Sequence, residues 1–326
     1  MAAVIEYDEF GLFHENIAEF GLSVAEVPPV TRVDTLVDTL VEDDPGRHVS
    51  SLRWGSASPE VVFVHGGAQN AHTWDTVALC LGRSALAVDL PGHGHSDWRG
   101  DGAYSPANLA DDLAVVVGTH APDARVVVGM SLGGLTSMEL AVRHPGLVRS
   151  LVMVDITPGV NAAKTKAITD FVDGPQEFAS FDDLLSRTKE HNPTRSESSL
   201  RRGILHNARQ RPDGSWEWRY DRGSHARASA AVDSAAVDSA ADSGGEPAEV
   251  TDAAGLSPLW DHFEAVGCPL MVVRGSLSPV VDDDDIAEAR RRRPDVRVEV
   301  VDGAGHSVQG DRPVELAGLL EHVVEG

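Results

Sequence analysis

Five residues, Gly129-Met130-Ser131-Leu132-Gly133, carry the pattern most suggestive of chemistry. Glycine stands two places before and two places after a serine, between an apolar run at 125–128 and a helix-patterned stretch at 132–144. A strand-to-helix turn of this kind is so tight that the flanking side chains must be hydrogen, and it pushes the serine Oγ out for nucleophilic attack. His65-Gly66-Gly67-Ala68 closes another apolar run. Its glycines leave backbone N–H groups unobstructed, so the amide of Gly67 is expected to pair with that of Leu132 to hold a developing oxyanion. The stretch Asp89-Leu90-Pro91-Gly92-His93-Gly94-His95-Ser96 reads instead as a structural loop forced by proline and glycine. His93 and His95 have no accompanying carboxylate or cysteine cluster, so no metal site is expected there. Neither a Walker-type phosphate loop nor a G-x-G-x-x-G after the first strand occurs, and no cofactor is expected.

Positioning such groups takes a rigid frame. Apolar, β-branched runs at 49–54, 61–65, 85–89, 125–128, 151–155, 270–274 and 297–301 alternate with helical patterns at 73–81, 106–119, 132–144, 283–292 and 314–324. Continuous rather than alternating runs belong to strands buried on both faces, so the fold class is α/β, a parallel sheet between two helical layers. The alternation breaks between about 157 and 267, where the chain turns polar and helical. There Ser180-x-x-Asp183 and Thr194-x-x-Glu197 fit capping boxes that open short helices. The expected organisation is a core of 1–156 and 256–326 with a helical lid at 157–255. Within the lid, 224–252 is nearly all Ala, Ser, Asp, Gly and Glu, lacks Phe, Tyr and Trp, and reads as a mobile surface loop. The lid's aromatics Phe171, Phe178, Phe181, Trp216, Trp218 and Tyr220 are too many for a wholly solvated insertion, and Trp216 and Trp218 are expected to wall an apolar substrate groove.

The chain's 326 residues include 51 acidic and 27 basic ones, a formal charge of −24. That balance works against phosphate neutralisation and against adhesion to anionic lipid, so neither nucleic acid nor a membrane surface is an expected partner. The only cysteines, Cys80 and Cys268, make neither a disulfide framework nor a zinc spacing. The first ten residues lack the basic and long apolar regions of a signal peptide, and no apolar run approaches the roughly 20 residues a membrane helix needs. A cytoplasmic location is expected, and oligomeric state leaves no signature.

Four motifs in order resemble the α/β-hydrolase superfamily: the HGG turn at His65 to Gly67, the DLPGHGHS stretch from Asp89, the GMSLGG elbow from Gly129 to Gly134, and Gly303-Ala304-Gly305-His306-Ser307. They cover the chain from about residue 61 to its end, the lid apart. The resemblance implies a mostly parallel eight-stranded sheet, a helical lid after the sixth strand, and nucleophile, acid and histidine in that chain order. Lid-bearing serine esterases and carbon–carbon bond hydrolases look closest. Carried onto this sequence, Ser131 is the nucleophile, and His306 is the general base that then protonates the leaving group. Met130 and Trp74 would line the acyl pocket, with core packing as the other reading. The elbow serine separates the chain from haloalkane dehalogenases and epoxide hydrolases, which attack with aspartate. The implied activity is hydrolysis of a small or medium carboxylic ester, with a small molecule as partner, through an acyl-enzyme on Ser131. A carbon–carbon bond hydrolase, an acyltransferase or a perhydrolase would share the same groups, and a noncatalytic ligand-binding protein would need neither Ser131 nor His306.

The triad acid departs from the usual pattern of the superfamily. The turn Arg274-Gly275-Ser276-Leu277-Ser278-Pro279 carries Ser278 where an aspartate is common. A hydroxyl cannot stabilise an imidazolium as a carboxylate does, so His306 needs its partner from elsewhere. Asp155, ending the sixth strand, is favoured, because a minority of the superfamily looks similar in placing its acid there. The run Asp282 to Asp285 is the alternative, although it also suits the positive end of a helix dipole. Asp302 is more readily a turn residue.

Overall fold

In the computed structural model, residues 7–37, 46–222 and 259–326 are described. The four most apolar runs form the sheet's centre. Every residue of β3 (Val61–Val64), β4 (Ala85–Val88), β5 (Val126–Met130) and β6 (Leu151–Val154) is buried. Around them lie β1 (Val30–Val37), β2 (Arg47–Trp54), β10 (Leu270–Gly275) and β11 (Arg297–Val301), in the order β1-β2-β4-β3-β5-β6-β10-β11. β1 runs antiparallel to β2, and β2 to β4. All other neighbours are parallel. The architecture is the expected eight-stranded, mostly parallel α/β sheet. β1 was not expected. Its sequence, Val-Thr-Arg-Val-Asp-Thr-Leu-Val, mixes polar and apolar residues because it is an edge strand and is only partly buried.

Helices cover both faces. α1 (Phe13–Phe20), α2 (Asp75–Leu81) and α10 (Pro313–Glu325) pack on one side, and α3 (Pro106–His120), α4 (Leu132–Arg143), α8 (Leu259–Ala265) and α9 (Asp283–Arg292) on the other. Because strand side chains alternate faces, β3 sends Val61 and Phe63 into the first layer and Val62 and Val64 into the second. Each such fully buried side chain contributes roughly 1.5–3 kcal/mol. This double cover explains the continuous apolar runs.

Between β6 and α8 the described residues hold α5 (Ala162–Val172), α6 (Phe181–His191) and α7 (Glu197–Asn207), together with a small sheet of β7 (Glu177–Phe178), β8 (Ala208–Gln210) and β9 (Trp216–Trp218) in the order β7-β9-β8. The insertion is therefore not purely helical: Trp216 and Trp218 alternate with Glu217 on a strand and send two indoles into one small core. The hydroxyl of Ser180 caps α6 by accepting from Asp183 N at 3.2 Å. The second expected cap is displaced. Ser196, directly before α7, accepts from Ser199 N at 3.1 Å, while Thr194 Oγ1 donates to Asp311 Oδ2 at 2.9 Å. The Ala/Ser/Asp-rich run at 224–252 lies outside the described residues. No helix among those described is long and apolar enough to cross a membrane.

Candidate active site

The singled-out motifs converge on the carboxyl edge of the sheet, where loops leaving parallel strands open a crevice. Ser131 follows β5 directly and holds φ 51° and ψ −120°, a conformation costing about 1–3 kcal/mol in a non-glycine residue. Its amide donates to Val154 O at 3.1 Å, and its carbonyl accepts from Gly134 N at 2.8 Å. A Cβ on Gly129 would fall 2.3 Å from Gly133 O, and one on Gly133 would fall 2.4 Å from the carbonyls of Val64 and His65. The two glycines are thus steric necessities of the elbow. Leu132 opens α4, and its N–H has no acceptor within the helix.

Asp155 ends β6 and is fully buried, with φ 52°. Its amide donates to Val273 O at 2.7 Å. Its Oδ1 accepts from Gly275 N at 2.9 Å. Its Oδ2 accepts from Ser278 Oγ and, at 2.7 Å, from His306 Nδ1. That bond assigns the proton to Nδ1 and leaves Nε2 as the basic nitrogen. His306 sits in the turn after β11, pinned by Gly305 N donating to Asp311 Oδ2 at 2.7 Å and Leu277 N donating to Ala304 O at 2.9 Å. The alternative acids are engaged elsewhere. Asp282 and Asp285 form a reciprocal capping box at the start of α9 and pair with Lys164 at 2.9 and 2.7 Å. Asp302 accepts from Ser276 Oγ at 3.1 Å.

Gly67, Met130, Ser131, Leu132, Trp218 and His306 all line one cavity of about 950 Å³. A serine hydroxyl, an imidazole bonded to a buried carboxylate and two backbone amides thus stand around one cavity, the set of groups that acyl transfer requires. Trp74 and Trp216 do not line it. Trp74, in the turn just before α2, is fully buried and stacks on Phe63 with centroids 4.9 Å apart, within the core between α2 and the sheet. Trp216 packs edge-on to Phe181 at 5.1 Å within the insertion's own core. The loop beginning at Asp89 is structural. Asp89 accepts from Ala71 N at 2.7 Å, His95 N at 3.0 Å and Arg32 at 2.8 Å, and His93 Nε2 accepts from Ala68 N at 3.0 Å, which fixes the turn that carries Gly67.

A buried polar cluster on the cavity wall was missed in the sequence. His72 Nδ1 meets Asp75 Oδ2 at 2.9 Å, His72 Nε2 meets Glu9 Oε1 at 3.1 Å, and His206 Nδ1 meets Tyr7 Oη at 2.7 Å. Burial opposes charge on His72, yet Asp75 and Glu9 hold it up at about 9, whereas burial and His72 itself push His206 well down. Ligand atoms of His72, Asp75 and His206 lie within 4.8 Å of one another. The two imidazoles, however, stack 3.7 Å apart at 9°, so their in-plane lone pairs run side by side rather than converging on one ion. The cluster is a hydrogen-bonded brace between the N-terminal segment, α2 and α7. His72-x-x-Asp75 is visible in the sequence; its pairing with His206 and Tyr7 is made only by the fold.

This edge-of-sheet arrangement defines an α/β hydrolase. A family model described as alpha/beta hydrolase fold matches residues 59–313, and the chain belongs to that family of enzymes. Esterase Rv0045c of Mycobacterium tuberculosis is 41% identical over 325 residues, spanning 98% of this chain and 96% of the relative. The 2-(acetamidomethylene)succinate hydrolase of Mesorhizobium japonicum is 30% identical over 274 residues, spanning 83% of this chain and 89% of the relative. A solved structure of the M. tuberculosis esterase superposes with a TM-score of 0.79 at 40% identity, covering 99% of this chain and 100% of that one.

Proposed function

We propose that the protein is a serine esterase acting on small or medium carboxylic esters. The observation that carries this is the 2.7 Å bond from His306 Nδ1 to buried Asp155, on the same cavity as Ser131. Asp155 fixes the tautomer and stabilises the imidazolium. His306 Nε2 takes the Ser131 proton as Oγ attacks the ester carbonyl, and the amides of Gly67 and Leu132 hold the oxyanion. Collapse of the tetrahedral intermediate expels the alcohol, protonated by His306. Water activated by the same imidazole then attacks the acyl-enzyme, releasing the acid and restoring Ser131. The esterase activity named for the 41% identical M. tuberculosis relative supports the same reading.

In this reading the insertion from α5 to β9 is a lid whose Trp218 and Met130 shape the acyl pocket. The free thiols of Cys80 and Cys268 suit a reducing cytoplasm. Purified protein should label with a fluorophosphonate at Ser131 and cleave p-nitrophenyl butyrate, and Ser131→Ala should abolish both. A folded parent protein that does neither refutes the proposal.

A further inference from the structure

Three Lys and Arg side chains line the cavity: Lys166, Arg195 and Arg202. Lys166 is ion-paired with Asp170 at 2.8 Å, and Arg202 with Glu19 and, at 3.8 Å, with Glu15. Arg195 has no ion pair among the described residues. Its Nη2 donates to Ser199 Oγ at 2.8 Å, and its Nε is buried without a hydrogen-bond partner. Burial pulls the guanidinium below its ordinary value, and the attraction of Asp311 and Glu19 does not offset this. Asp311 commits Oδ2 to Thr194 and to Gly305 N, and its Oδ1 is buried without a partner, yet it forms no ion pair with Arg195. The guanidinium lies over Gly310, where a Cβ would come within 2.9 Å of Cζ, so the charge is held against the short helix Val308–Asp311 that follows the His306 turn. A desolvated cation without an ion pair, lining the same cavity as Ser131 and His306, is an unfilled half of a charge-assisted pair.

We propose that Arg195 docks a free carboxylate of the substrate, so that the preferred esters carry a second, unesterified acid group. This rests on the esterase reading of the same cavity and names its substrate class. The competing role is purely structural, with Arg195 tying the segment before α7 to the His306 turn.

The test compares monomethyl succinate, glutarate and adipate with methyl esters of uncharged acids of matching length, in the parent protein and in Arg195→Gln. The parent should favour at least one acid ester in kcat/KM by about 10- to 100-fold, expressed in KM. Arg195→Gln should erase that preference, and Arg195→Lys should keep part of it. An acid-to-neutral ratio that is the same in parent and Arg195→Gln overturns the proposal. Should Arg195→Gln fail to fold, Ser131→Ala retains Arg195 and reads binding alone. A rise in Tm with millimolar glutarate or adipate, absent with the corresponding diamides, supports the site; no rise, or an equal rise with the diamides, overturns it. A protein that binds these acids yet cleaves no ester faults the esterase reading and leaves the anion site standing.

Discussion

Asp155 takes three hydrogen bonds from two segments, Gly275 N and Ser278 Oγ of the turn after β10 and His306 Nδ1 of the turn after β11. The hydroxyl that replaces the family's usual acid thus donates to the very oxygen that orients His306. Removing the charge while keeping the shape should cost about 10⁴-fold in turnover, the magnitude expected when an imidazole is left in the wrong tautomer. Asp155→Asn tested on p-nitrophenyl butyrate checks this, and near-normal turnover would refute the role. Because Ser278 already touches the acid's Oδ2, Ser278→Asp placed on Asp155→Asn should recover part of the activity. No recovery would mean that a carboxylate at 278 does not reach Nδ1. The elbow was legible from Gly129 and Gly133 together with the apolar run before them and the helical pattern after, since steric necessity leaves its mark in composition. That Asp155 rather than Asp282 meets His306 was legible only as a preference, because a strand-ending aspartate and a helix-capping aspartate look alike until the fold brings one of them to the histidine.

At the scale of elements, the insertion's two tryptophans divide the work. Trp218 reaches the cavity, meeting Phe171 edge-on at 6.0 Å, whereas Trp216 is spent on Phe181. Trp218→Ala should therefore shift acyl-chain preference, read as the ratio of kcat/KM for acetate, butyrate and octanoate esters. Trp216→Ala should leave that ratio alone and lower stability by about 3–5 kcal/mol, the usual cost of emptying a large aromatic site. An unchanged ratio in Trp218→Ala would remove Trp218 from the pocket. Sequence reasoning grouped these residues because aromatic content reveals burial and not what a side chain is buried against. It also missed β1, where an edge strand with one open face dilutes the apolar signal that made β3 to β6 plain.

Over the whole molecule, the brace of Glu9, His72, Asp75, His206 and Tyr7 ties the N-terminal segment to both the core and the insertion. His72 is held protonated at about 9, above the ordinary 6.5 of an exposed imidazole. A raised value means that the native state binds the proton more tightly. Its contribution to stability is therefore complete below pH 6.5 and is lost as pH climbs through 9, with a slope of at most ~1.4 kcal/mol per pH unit. Calorimetry should show Tm falling across that window, and His72→Gln should flatten the fall; an unaltered slope would place the linkage elsewhere. The depressed His206 acts in the opposite sense, withdrawing stability as pH drops below 6.5. Among the described residues, Ala68, Ser131 and Asp155 are the non-glycine residues with positive φ, and all three stand at the catalytic edge. Ser131→Gly relieves one of these conformations and should raise stability by about 0.5–2 kcal/mol while ending ester turnover. Thermal unfolding of the variant checks this, and a lower Tm would deny the strain. A library of this protein screened for heat resistance alone would discard Ser131, the proposed nucleophile, as an improvement. Selection for durability and selection for turnover pull the same three backbone angles in opposite directions.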